Sequence, residues 1–201
     1  MRKGTSAIGC IVGGVTVMAL LATGCSSSAK TALAPATSTA TVTTTNPPAG
    51  QPGHVAIPVS KNPSTSAKMI CETDVEREVF DLVGVKPSQP LQPLWKDHVY
   101  SCKYVYPNGT LTLSVKELAN KAETDAYFAS LATQLHKKKV VQYLGQGAFT
   151  TQNESAVVRK DYKVLTVDVS GLPAQFGTPA DQRGNIALNV AASIMSCWTG
   201  A

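Results

Sequence analysis

The sequence predicts an α+β domain, an antiparallel sheet of four to five strands with three helices packed on one side, preceded by a disordered tether. Three observations carry that expectation. First, β-patterned segments come in adjacent pairs joined by short turns, which is the grammar of hairpins. Second, helical periodicities flank those pairs without the strand–helix–strand alternation of a parallel sheet. Third, residues 26–68 contain eight Ala, eight Thr, seven Ser and six Pro and no aromatic residue. Such a segment cannot bury enough apolar surface to offset its ordering entropy.

Taken in order, residues 1–24 start with Arg2 and Lys3, pass through an apolar run from Ile8 to Ala22 and end in Leu21-Ala22-Thr23-Gly24. A basic start, an apolar middle and small residues before a cut describe a secretory signal peptide. The run is 15 residues long, short of the roughly 20 that a membrane span needs. Cys25 follows at once, then Ser26-Ser27-Ser28. This arrangement resembles the lipobox of bacterial lipoproteins, with Ala22 standing where Leu is usual. The resemblance implies a diacylglycerol thioether on Cys25, cleavage before it, and acylation of the new amino group. Cys25 is therefore the expected lipidation site, with its acyl chains as the contact to the membrane. The expected organisation is a signal peptide over 1–24, a lipidated cysteine and tether over 25–68, and one α+β domain over 69–201.

Within the domain, Thr73-Asp74-Val75-Glu76 has the form of a capping box, and Val75, Val79, Leu82 and Val83 fall on one helical face before Gly84. Residues 85–97, with three prolines, read as an irregular connection. Val99–Tyr106 and Thr110–Glu117 form the first hairpin through Pro107-Asn108-Gly109, whose Asn-Gly step suits a tight turn. Leu111, Leu113 and Val115 alternate with Thr112, Ser114 and Lys116, as in a sheet wet on one side. Asn120 with Glu123 opens a second helix whose stripe is Tyr127 or Phe128, Leu131 and Leu135. Lys137-Lys138-Lys139 closes that helix, where cations suit the negative end of its dipole. Gly145-Gln146-Gly147 breaks the chain, and Ala156–Arg159 and Lys163–Val169 form a second hairpin. The last helix runs from Gln182 or Asn185 to Trp198, with Ile186, Val190, Ile194 and Cys197 on one face.

Charge excludes one function class. The chain carries a net charge of +5, but Arg2 and Lys3 leave with the signal and Lys30, Lys61 and Lys68 lie in the tether. The domain is neutral, whereas a nucleic-acid binder shows a basic patch, so no nucleic-acid partner is expected. Of five cysteines, Cys10 lies in the signal and Cys25 takes the lipid. Cys71, Cys102 and Cys197 remain in an exported chain, where disulfides persist. An odd number calls for one pair and one free thiol. Cys71–Cys102 with Cys197 free is the expected pairing, and Cys71–Cys197 is its rival.

Few residues suggest chemistry. Asp97-His98 stands four residues from Cys102, but on a strand the two positions are about 13 Å apart, beyond hydrogen-bond reach. Gly145-Gln146-Gly147 lacks the following helix of a phosphate loop. Asp168 reads as an exposed carboxylate, and His54, His98 and His136 lack ligand spacing for zinc. Neither a catalytic residue, a metal site nor a cofactor is expected. Tyr100, Tyr104 and Tyr106 share a strand face with Cys102. They are the core face of the sheet or, as the alternative, a binding surface of the kind aromatics anchor.

The layout resembles small actinobacterial (mycobacterial-type) cell-envelope lipoproteins, each a tether and one uncharacterised α+β domain. The residues that carry it are Cys71, Tyr100-Ser101-Cys102-Lys103-Tyr104, Leu144-Gly145-Gln146-Gly147-Ala148 and Cys197-Trp198-Thr199-Gly200. The resemblance implies a place in the envelope and no established catalysis. The expected function is a binding or accessory role at the extracytoplasmic face of the membrane, with an envelope protein or lipid as partner. The alternatives are a carrier of a hydrophobic or lipid ligand and, less favoured, an envelope-polymer hydrolase.

Overall fold

The computed structural model describes residues 59–198. The signal segment, Cys25 and residues 26–58 lie outside the described residues. The helices are α1 (Thr65–Lys68), α2 (Thr73–Val83), α3 (Lys121–Gln134) and α4 (Arg183–Cys197). The strands are β1 (Gln92–Lys96), β2 (Val99–Tyr106), β3 (Gly109–Glu117), β4 (Lys137–Val141), β5 (Gly147–Thr151), β6 (Ala156–Lys160) and β7 (Lys163–Asp168). They form one antiparallel sheet in the order β1-β2-β3-β7-β6-β5-β4, beside a small ribbon of β8 (Gln175–Phe176) and β9 (Asp181–Gln182). The α+β class and the antiparallel sheet stand, while among the described residues the expected four to five strands of the main sheet become seven and the expected three helices become four, with α1 the addition.

Two of the added strands have identifiable causes. β1 lies in the proline-rich connection: as an edge strand it tolerates Pro93, which has no ladder donor to lose. Its turn into β2 is Asp97-His98, with φ of 50° and 58°, the left-handed pair of a tight hairpin. β4 is the lysine triplet, expected to end α3. His136 at φ 51° breaks the helix, and Lys137–Val141 then pairs with β5 through a register shift between Lys137 and Lys139. The β2–β3 turn also differs from expectation. Tyr106 pairs with Gly109, so Pro107 and Asn108 are the central residues, and neither Asn108 nor Gly109 has a positive φ. Proline's fixed φ builds this turn.

The helices occupy both sheet faces, which corrects the expected one-sided layer. On the main face, Tyr100, Cys102, Tyr104, Leu111, Leu113, Val115, Val158, Leu165 and Val167 pack with Val75, Val79 and Val83 of α2 and with Ile186, Val190 and Ile194 of α4. Ala187 and Ala191 are completely buried there; small side chains bring the α4 backbone close to the sheet. On the opposite face Leu131 of α3 packs with Phe149, Val157 and Val164. Topology explains the split: β3 lies near the middle of the sheet and β4 at its far edge. The connection must cross a face, and α3 crosses the one that α2 and α4 leave open.

The packed structure begins ahead of the expected boundary at Met69. Ala67 and Ile70 are completely buried. Ser64 caps α1, accepting from the Ala67 amide, while its own amide donates to Glu117 Oε1 at 3.0 Å. The Trp95 indole donates to the Lys61 carbonyl at 2.8 Å. The capping box expected at Thr73 and Glu76 does not form, since the N-cap is Glu72 and makes no side-chain cap bond. Asn120 does cap α3, accepting from the Glu123 amide at 2.9 Å. Gly84 closes α2 at φ 66°.

Candidate functional site

Alternation along β2 turns Tyr100, Tyr104 and Tyr106 inward with Cys102, and the binding-surface reading of these tyrosines is corrected. Tyr104 is completely buried and Tyr106 4% exposed. The Tyr104 hydroxyl donates to the Ile70 carbonyl at 2.8 Å, tying β2 to the turn after α1. Tyr106 packs on Phe176 with ring centroids 4.8 Å apart. Burial pushes the hydroxyl pKa of both upward, and the nearby Glu76 carboxylate adds to it. Tyr100 shifts the same way, through burial and then Glu72.

Cys71 and Cys102 form a disulfide with Cα atoms 5.5 Å apart. Cys197 is a free, exposed thiol, not part of the apolar face of α4 on which the periodicity placed it. Its sulfur lies 3.5 Å from Glu78 Oε1, and Ser193 hydrogen-bonds the other oxygen of that carboxylate.

The other residues singled out in the sequence do not converge. His98 sits in the β1–β2 turn, edge-on to Trp95 at 5.7 Å, while Cys102 is buried in its disulfide. Gly145-Gln146-Gly147 is a turn: the Gln146 amide donates to the Arg159 carbonyl at 2.8 Å, and β5 follows. Asp168 is half-buried, against the exposed position expected. It accepts from Ser155 Oγ at 3.0 Å and from the Ser170 amide at 2.9 Å, so its carboxylate closes the end of β7. Among the described residues no group of three or more His, Cys, Asp or Glu side chains is placed to hold a metal ion. None of the described helices is long and apolar enough to cross a membrane.

Two surfaces remain that side-chain alternation in the sequence only hinted at. One is the half of the α3-side face that the apolar cluster under α3 does not reach. Register brings Leu94 beside Ser101, Ser101 beside Ser114, and Ser114 beside Thr166, with Lys103, Thr112 and Asp168 in the next row. Leu94 is 59% exposed. The other is the β4 edge, where Lys137, Lys138 and Lys139 are exposed and lead into Val140 and Tyr143, 59% and 100% exposed. An open depression of about 330 Å³ adjoins this edge, lined by Gln134, Leu135, His136, Gln152 and Asn153.

No family model, curated protein or solved structure matches this chain.

Both surfaces can therefore be read only through their own chemistry. The open half-face offers hydroxyls at sheet spacing around one apolar side chain. The β4 edge offers concentrated positive charge beside exposed apolar groups. Its signal was in the sequence as three consecutive lysines, but the helix reading spread them around a cylinder, whereas the strand lines them along one rim.

Proposed function

We propose that this chain is an exported lipoprotein, held at the extracytoplasmic face of the cell membrane by acyl groups on Cys25, whose domain acts by binding without catalysis. The observation that carries this reading is Cys25 itself, standing directly behind a basic start, a 15-residue apolar run and small residues. An acyl chain contributes about 0.8 kcal/mol per buried methylene, so three chains hold where one does not. The Cys71–Cys102 disulfide supports the export half of the reading, because such bonds persist in oxidising compartments. The resemblance to actinobacterial envelope lipoproteins supports the location.

Surface binding is preferred to the carrier role because of how the sheet–helix interface is filled. Leu111, Leu113, Val115, Ala187, Val190 and Ala191 are all completely buried in one cluster, and the depression near His136 lies outside it and is open to solvent. The carboxylate the sequence singled out, Asp168, is taken up by the Ser155 hydroxyl and the Ser170 amide, which gives the hydrolase reading no support. The test is intact-mass analysis of the natively purified protein together with the Cys25→Ala variant. The expected result is a triacylated N-terminal Cys25 in the wild type and unprocessed precursor in the variant. Normal processing and membrane retention of Cys25→Ala would refute the reading.

A further inference from the structure

We infer that the β4 edge is a docking surface for an anionic lipid bilayer, so that the domain lies against the membrane with this edge down. The choice of a bilayer rests on the anchored reading above, which keeps the domain within a tether's length of one. Charge complementarity argues for the occupant. Lys137, Lys138 and Lys139 are consecutive and exposed, and among the described residues none has a carboxylate within ion-pair distance. The strand is bulged there: Lys137 pairs with Thr151 and Lys139 with Thr150. Lys138 is left over, and a bulge bends and twists the strand. The depression beside them is lined by Gln134, Leu135, His136, Gln152 and Asn153, an apolar floor with a few polar groups at its margin.

Lysines on an edge strand also discourage edge-to-edge pairing, and that role alone would account for a charged rim. It does not account for Val140 and Tyr143, which are 59% and 100% exposed and would work against it. A tyrosine and an aliphatic side chain beside lysines are what an interfacial segment uses: the apolar groups enter the headgroup layer while the cations meet lipid phosphates. Each lysine near an anionic surface strengthens partitioning about 5-fold, so three contribute on the order of 100-fold. That is weak from bulk solution and sufficient for a domain whose tether raises its local concentration.

The test is sedimentation of residues 25–201 carrying Cys25→Ser, which has no lipid and keeps every described residue, with vesicles of phosphatidylglycerol and phosphatidylcholine in equal parts. Co-sedimentation is expected with these vesicles, not with pure phosphatidylcholine, and release is expected at about 1 M salt, where the screening length falls to about 3 Å. Replacing Lys137, Lys138 and Lys139 together by Gln should lower the partition coefficient on the order of 100-fold, and Tyr143→Ser should lower it by less. The variant with Lys68, Lys96 and Lys103 changed to Gln removes the same charge elsewhere and should bind nearly as wild type. Equal loss in the two triple variants, equal binding to pure phosphatidylcholine, or capture by soluble polyphosphate without vesicle binding would each overturn the proposal. Because the tested chain carries no lipid, its result is independent of the Cys25 mass measurement.

Discussion

Tyr104 and Tyr106 stand two residues apart on one buried strand face, yet their hydroxyls are in opposite situations. Tyr104 donates to the Ile70 carbonyl, whereas the Tyr106 hydroxyl has no hydrogen-bond partner among the described residues. Removing one partner of a buried pair costs about 1 kcal/mol or more, while removing an unsatisfied group does not. Tyr104→Phe is therefore expected to destabilise the domain by about 1 kcal/mol and Tyr106→Phe to leave it unchanged or up to about 1 kcal/mol more stable. Urea denaturation of the two variants checks this. Burial raises both pKa values, so the folded state favours the neutral phenols relative to an unfolded chain that titrates near 10. Their contribution is complete below about pH 10 and is lost as the pH rises further. The urea midpoint should hold up to about pH 10 and fall as the pH rises above it, less so in Tyr106→Phe; ionisation of both rings in the intact fold near pH 10 would contradict this. At Gly84, a Cβ would lie 1.9 Å from the Thr178 carbonyl oxygen in a backbone at φ 66°. Gly84→Ala should cost about 2–4 kcal/mol, from left-handed strain plus overpacking, visible as a lowered Tm.

At the scale of elements, the disulfide joins the turn after α1 to β2 and closes a 31-residue separation. On the chain-entropy model this contributes about 3–4 kcal/mol. The double variant Cys71→Ala/Cys102→Ala should lose about that much in denaturant titration, while Cys197→Ala should lose almost nothing, its sulfur being exposed. How far these elements could be read in advance depended on whether local pattern and tertiary context agreed. β2, β3, α3 and α4 carry strong alternation, a cap or a long apolar stripe, and their burial follows that pattern except at Cys197. β1 and β4 are edge strands, paired on one side only and exposed at nearly every position. They need no apolar alternation, so none was written into Gln92–Lys96 or Lys137–Val141. The side of the sheet on which α3 lies is set by the crossover from β3 to an edge strand that itself gave no signal. The surfaces of interest were hidden for the same reason: a basic rim and a hydroxyl-lined half-face exist only once register places the rows together.

On the scale of the whole molecule, the packed structure begins earlier in the chain than the composition of residues 26–68 indicates. Ala67 and Ile70 are completely buried, and Glu117 and Trp95 hold Ser64 and Lys61. Mild proteolysis of the full chain is expected to leave a fragment that starts ahead of Ser64. Sequencing its N-terminus is the check, and a stable product starting at Met69 would contradict these contacts. The disulfide has a mechanical consequence if, as proposed, the chain is moored at its N-terminal end. Tension applied from the N-terminal side meets the Lys61 and Ser64 contacts first, then α1, and then the covalent link at Cys71. There the load passes into β2, which is hydrogen-bonded on both sides by β1 and β3. In force spectroscopy the oxidised protein should yield by about 40 Å at most, roughly twelve residues at the extended spacing, and then stiffen. Chemical reduction should remove that stop and let α2 peel away at the same force.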